Sequence, residues 1–169
     1  MPVIIRLKKR PVGVNDMEGF ESRIGMALPH DYREFLSEYN GGVPETNEFD
    51  IPGLNSGSGV NAFLSHEEIE NEKKLLSDRF PPNAWPIAHT EGGNYVCLVL
   101  GERSGIYFWD HELEAEEGQP ATWDNMFRLA DSFSEFLLSL RPFDIDSLEI
   151  DPNRVEKVWQ DPDFKPEFD

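Results

Sequence analysis

The side chains of this sequence that could do chemistry are few and poorly spaced for it. His30, His66, His89 and His111 are the four histidines, and Cys97 is the only cysteine. Zinc sites draw on closely spaced Cys and His pairs, and no such pair occurs. His89 and His111 fall at the ends of predicted strands and could approach in space. Ordinary surface or hydrogen-bonded histidines are the better reading. Cys97 lies in the most apolar run and reads as a small buried hydrophobe. A nucleophilic thiol needs access and a positive neighbourhood, and neither is indicated. There is no Ser-His-Asp signature or nucleophile elbow, and Gly57-Ser58-Gly59 lacks the strand-to-helix setting of a phosphate loop. Carboxylate pairs such as Asp110 and Glu112 are too common in so acidic a chain to argue for acid–base catalysis. The expectation is no catalytic residue, no metal and no cofactor, hence not an enzyme.

What remains is charge. The chain has 169 residues, 33 acidic and 15 basic, for a formal net charge of -18. From Asp110 to Asp169 there are 17 acidic and 5 basic side chains, so the excess is weighted toward the C-terminal end. Such a surface repels nucleic acid, which is bound mainly through Lys and Arg contacts to phosphate, and it disfavours anionic membranes. It serves solubility, or it steers a basic protein partner inward. The densest cluster is Asp110, Glu112, Glu114, Glu116 and Glu117, directly after the aromatic run Tyr107-Phe108-Trp109. Aromatic anchors beside carboxylates suit a basic partner. The competing reading places the aromatics in the core and leaves the carboxylates to solvate a loop.

The elements that must position this cluster follow from periodicity. Met17, Phe20 and Ile24 predict a short helix ended by Gly25. Leu28-Pro29 opens a second helix bearing Tyr32, Phe35, Leu36 and Tyr39 on one face, stopped by Asn40-Gly41-Gly42. Glu48 to Ile51 reads as a strand. Asn55-Ser56-Gly57-Ser58-Gly59 reads as a flexible loop before a strand at Val60 to Leu64. Ser65 and Glu68 make a capping box, with Leu64 and Ile69 as a hydrophobic staple, for a helix from His66 to about Arg79. Phe80-Pro81-Pro82 ends it.

A three-stranded meander follows, with strands at Trp85 to His89, Tyr95 to Leu100 and Ile106 to Asp110. The middle strand is apolar enough to be buried on both faces. Glu112 to Glu117 is a solvated loop, Phe127 to Ala130 one more strand, and Ser132 with Glu135 caps a last helix that ends at Arg141-Pro142. Beyond it, Asp151-Pro152 could start a helix presenting Val155, Val158 and Trp159, and two proline-acid-phenylalanine elements end on Phe164 and Phe168. Helices at both ends of an antiparallel sheet make the fold class α+β. A chain of this length suits one domain with a modest tail.

Ile24-Gly25, Leu28-Pro29, Tyr32, Phe35-Leu36 and Asn40-Gly41-Gly42 recur in that order with Ile87-Ala88, Gly92-Gly93-Asn94, Val96 to Leu98, Gly105, Tyr107 to His111 and Leu129 to Leu137. In this order and spacing the chain resembles the Smi–Knr family of the SUKH superfamily, from about Met17 to Leu140. The resemblance implies a non-enzymatic single domain over residues 1–141, with a curved, mainly antiparallel sheet flanked by helices. Residues 142–169 fall outside it, as an acidic extension packed on the domain or partly flexible. Bacterial relatives are typically immunity proteins encoded beside polymorphic or contact-dependent toxins, often nucleases. Fungal relatives regulate cell-wall synthesis. The expected partner is therefore a cognate protein toxin with a basic surface, the alternative being a regulatory or scaffold role. No run approaches the roughly 18 apolar residues of a membrane helix. The short apolar start is too brief for a secretory signal, so the expected location is the cytoplasm.

Overall fold

Two strands without a charged or amide side chain set the architecture. In the computed structural model, which describes residues 3–144, β6 (Tyr95–Val99) and β7 (Gly105–Trp109) are buried at every position. Side chains alternate between the two faces of a sheet. Val96, Leu98, Ile106 and Phe108 join one apolar cluster, while Tyr95, Cys97, Val99, Tyr107 and Trp109 join another. Both faces must therefore be covered.

The sheet is an antiparallel meander of six strands, in the order β3 (Glu48–Ile51), β4 (Ser56–Phe63), β5 (Ala84–Thr90), β6, β7 and β8 (Met126–Ala130). A separate ribbon pairs β1 (Ile5–Arg6) with β2 (Val43–Pro44). On the larger face sit α1 (Val14–Ile24), α2 (His30–Glu38) and α4 (Phe133–Ser139), which contribute Met17, Phe20, Tyr32, Phe35, Leu36, Phe133 and Phe136. Phe133 is the hinge of this core, its ring centroid 4.9 Å from both Tyr32 and Phe35 and 5.7 Å from Phe63. Edge-to-face pairs of this kind add roughly 0.5–1.5 kcal/mol each beyond area burial. The other face is covered by Leu76, Phe80 and Trp123. The α+β single domain expected from the sequence is the one observed.

Three local readings differ from the structure. The Gly-Ser run is not a loop: Ser56–Gly59 pairs residue by residue with Ile51–Glu48. Glycine is what allows the close pairing, since a Cβ at Gly57 would stand 2.8 Å from the Phe49 carbonyl. The meander has six strands because this pairing and β8 extend it at both ends. The helix α3 (His66–Leu75) stops before Arg79, although both halves of the Ser65–Glu68 capping box form. The chain leaves helical geometry at Leu76 and carries Arg79 and Phe80 onto the second face. At α4, Ser132 accepts the Glu135 N–H at 3.1 Å, but the Glu135 carboxylate reaches past it to the Asp131 N–H at 2.9 Å. The helix predicted at Asp151 and the Phe164 and Phe168 elements lie outside the described residues.

The sheet is curved, as its two ends show. A Cβ at Gly53, in the β3–β4 turn, would stand 3.8 Å from the Phe127 ring on β8. The outer edge of β3 is occupied by Arg141, which exchanges two 3.0 Å backbone hydrogen bonds with Glu48 and reaches Asp50 at 2.8 Å. Among the described residues no helix is long and apolar enough to cross a membrane.

The Asn40-Gly41-Gly42 stop is a junction of three elements. All three residues have positive φ, at 48°, 96° and 119°. The Asn40 amide donates to the Arg10 carbonyl at 2.9 Å, and its oxygen accepts the His66 N–H at 3.0 Å. The exit of α2, the N-terminal segment and the start of α3 are thereby tied together. A Cβ on Gly42 would fall 2.6 Å from the Arg6 carbonyl, whereas one on Gly25 (φ 76°) meets nothing within 4 Å. Gly25→Ala should therefore cost only the left-handed strain, roughly 1–2 kcal/mol. Gly42→Ala adds overlap with fixed backbone and should cost roughly 2–5 kcal/mol. Urea unfolding of the two variants measures the difference, and equal losses would remove the close-approach argument.

Candidate protein-binding face

The acidic cluster sits on a loop whose root is fixed by amides. The Asp110 carboxylate accepts the Glu112 N–H at 2.9 Å and caps a single turn, His111–Leu113. Asn125 donates to the Asp110 carbonyl at 2.9 Å. Asn94, which follows the left-handed pair Gly92-Gly93, accepts the His111 N–H at 2.9 Å and lies 2.6 Å from His111 Nδ1.

The five carboxylates divide by role. Asp110 is the cap just described. Glu114 is forked onto Arg79, at 2.7 Å to Nε and 2.6 Å to Nη2. Its hydrogen bond raises the guanidinium pKa further above an already high value, with burial acting the other way. Arg79 also stands 5.3 Å over the buried Trp109 ring. Glu112, Glu116 and Glu117 are exposed, with no ion pair among the described residues. Tyr107, Phe108 and Trp109 are buried in the sheet, so they offer no anchor to a partner. The solvated-loop reading holds for the aromatics.

Between this loop and the α3–β5 connection lies an open groove of about 960 Å³. Its walls are Lys73, Ser77 to Phe80 and Pro82 on one side and Glu114 to Ala121 on the other. The two cations in it are held from below. Lys73 Nζ donates to the Ala84 carbonyl at 2.7 Å, lies 5.5 Å over Phe80 and 5.2 Å over Trp85, and has its pKa lowered by burial. Arg79 is held by Glu114 and Trp109. Asp78, Glu116 and Glu117 are exposed along the same groove. The groove therefore presents negative charge to anything that enters.

The sequence pattern did not point to Asp78, Lys73 or Arg79, because charged residues near a predicted helix end look like a solvated face. Their role depends on the early exit from α3. His89 and His111 have separate partners: His89 Nε2 is 3.7 Å from Glu72, which accepts the Tyr95 hydroxyl at 2.8 Å. Among the described residues no three His, Cys, Asp or Glu side chains are grouped to hold a metal. Cys97 is fully buried, and desolvation drives its thiol pKa far upward against a small opposing effect of Lys73.

The SMI1 / KNR4 family (SUKH-1) matches residues 11–139, from just before α1 to the end of α4. An "SPbeta prophage-derived uncharacterized protein YokK" of Bacillus subtilis (strain 168) is 32% identical over 145 residues, covering 73% of this chain and 72% of its own length. An "Uncharacterized protein YobM" of the same organism is 34% identical over 90 residues, covering 53% of this chain and 46% of its own.

Arg79→Leu should loosen the 114–121 wall while leaving the amide-clamped root intact. Amide exchange should accelerate at Glu114 to Ala121 but not at Asp110, with a stability loss of about 1 kcal/mol for a half-exposed ion pair and cation–π contact. Uniform exchange along the loop would show that Arg79 does not hold the wall. Cys97 yields a pH prediction. The folded thiol keeps its proton above the ordinary value of 9.0, at which the unfolded one loses it. Stability is therefore complete below about pH 9 and falls as pH rises. Urea midpoints should drop above that pH, less so in Cys97→Ala.

Proposed function

The chain belongs to the SMI1 / KNR4 family (SUKH-1), and from that premise we propose that it is an immunity protein which neutralises a cognate toxin by stoichiometric binding. The observation that carries this reading is the groove, where inward partners hold Lys73 and Arg79 while Asp78, Glu116 and Glu117 stay exposed. A basic surface on the toxin fits that arrangement. Carboxylates opposed to Lys and Arg accelerate encounter and fix register. If the toxin is a nuclease, an acidic cover occupies the ground its nucleic acid needs, since that ground is read through phosphate charge. The protein itself supplies no chemistry in this mechanism; it blocks by occupancy. A prophage-derived relative is in keeping with a protein that travels with a mobile element.

Binding to the product of the neighbouring toxin gene, followed by rescue of cells expressing it, tests the reading directly. The complex should form one to one, and rescue should require it. Association should slow as salt rises, because the steering charges are screened over a Debye length of about 8 Å at physiological ionic strength. Glu116→Lys with Glu117→Lys should lower the on-rate on the order of tenfold with little change in stability. Binding without rescue would shift the role to regulation of a non-toxin partner. Rescue with salt-independent association would remove the steering mechanism and keep immunity.

A further inference from the structure

The groove has two zones that differ in exposure and in chemistry. Its least exposed apolar lining is Phe80, 3% exposed, with Ala115 and Ala121, both half-buried. The half-buried polar groups beside them, Lys73 and Glu114, already have partners in the Ala84 carbonyl and Arg79. Asp78, Glu116 and Glu117 are exposed, Asp78 on one wall and the two glutamates on the other. None of the three has an ion pair among the described residues.

A turn presents the glutamates. The Gln119 N–H donates to the Glu116 carbonyl at 2.9 Å, and Gly118, third in the turn, has φ 82°. A positive φ at that position is what glycine supplies to such a turn. Nothing stands within 4 Å of a Cβ at Gly118, so the tip is clear of other elements. Ala115 and Ala121, on either side of the turn, are small and leave the groove open beside Phe80.

Charge and apolar surface do different things in an encounter. Exposed ion pairs steer approach but add little to hold a complex. Lasting contact comes from apolar or aromatic side chains that leave water for a fitted pocket. Tyr107, Phe108 and Trp109 are buried in the sheet, so at this face the anchor has to come from the partner. The groove's volume of about 960 Å³ lies at the upper end of the roughly 300–1,000 Å³ that holds small ligands, enough for a short segment.

We propose that the groove takes a segment of the protein partner in which one apolar side chain lies between two Lys or Arg residues. The apolar side chain rests on Phe80, Ala115 and Ala121. One flanking cation meets Asp78, and the other meets Glu116 and Glu117. The inference rests on the toxin-binding reading and adds the chemistry of the segment that enters. Charge sets how fast it arrives, and the apolar residue sets how long it stays.

Three capped tripeptides added to the full chain test it, with amide signals as the readout: Lys-Leu-Lys, Lys-Ser-Lys and Glu-Leu-Glu. At millimolar concentration Lys-Leu-Lys should shift the signals of Phe80, Ala115 and Ala121 saturably. It should bind about tenfold tighter than Lys-Ser-Lys, as burial of a few methylene groups gives. Glu-Leu-Glu should shift none of them. Ala121→Phe, which fills the apolar zone, should remove the advantage of leucine over serine. Asp78→Asn with Glu116→Gln and Glu117→Gln should weaken both lysine peptides and keep their order. Unmoved β6 and β7 signals check that the variants fold, and the comparison in the unaltered chain stands without them. Equal binding of the two lysine peptides would overturn the proposal, as would an advantage that survives Ala121→Phe, or no saturable shift. A leucine preference in a chain that binds no toxin would remove immunity alone. Rescue by a chain without that preference would remove this inference alone.

Discussion

A sheet whose two central strands bury every position has to be covered on both faces, and the rest of this fold answers that requirement. Helices α1, α2 and α4 cover one face with a continuous aromatic core centred on Phe133. The other face has no whole helix over it, because α3 buries Ile69 in the first core. The chain uses instead the α3 exit, with Leu76 and Phe80, and the Asp110–Asn125 loop, with Trp123. Loops carry polar backbone and cannot seal a core alone. Cationic side chains complete the cover: Arg79 over Trp109, Arg103 at 4.5 Å over Trp123, Arg128 at 5.4 Å over Tyr107 and Lys73 over Phe80. Long basic side chains suit this task, since their stems cover apolar surface while the head stays polar.

The paired-glycine motifs serve the same end by one repeated device. Asn40 with Gly41-Gly42 and Asn94 after Gly92-Gly93 each lie beside a left-handed turn. Each directs its side-chain oxygen to the backbone N–H and Nδ1 of a histidine that begins a helical turn, His66 in one case and His111 in the other. The first clasp fixes the start of α3 and the second fixes the root of the acidic loop. Both walls of the groove therefore hang from an Asn–His clasp. Across the groove the walls are tied directly by the Arg79–Glu114 pair.

The parts of this arrangement readable from sequence were those that periodicity and caps encode. Tyr32, Phe35 and Leu36 mark a buried helix face, the Ser65–Glu68 box marks the start of α3, and the apolar run around Cys97 marks a strand buried on both sides. The Gly-Ser strand was not readable, because glycine there serves close backbone pairing and sends the same signal as a flexible loop. Nor was the groove: Asp78 and Arg79 acquire their positions only when the chain abandons α3 at Leu76, a tertiary demand of the second face. The acidic loop was readable as a cluster but not as a set of roles. Asp110 and Glu114 differ from Glu116 and Glu117 through contacts made with residues distant in sequence.

The same physics that covers the second face shapes the charge it shows. Each basic side chain laid over an aromatic ring, or forked onto a carboxylate, has its charge partnered within the fold while the side chain itself stays partly exposed. Arg79 and Lys73 have their charged ends committed within the fold, and Arg128 is held by Tyr107, Ser104 and Asp131. Carboxylates have no comparable use against the negative face of an aromatic ring, and Asp78, Glu116 and Glu117 stay exposed at the groove. The groove thus presents an acidic field to a partner. Protein–protein encounter responds to that exposed field more than to the formal total. At the groove Asp78, Glu116 and Glu117 are exposed while the nearest cations, Lys73 and Arg79, are already partnered. The negative face and the closed core are consequences of one packing solution.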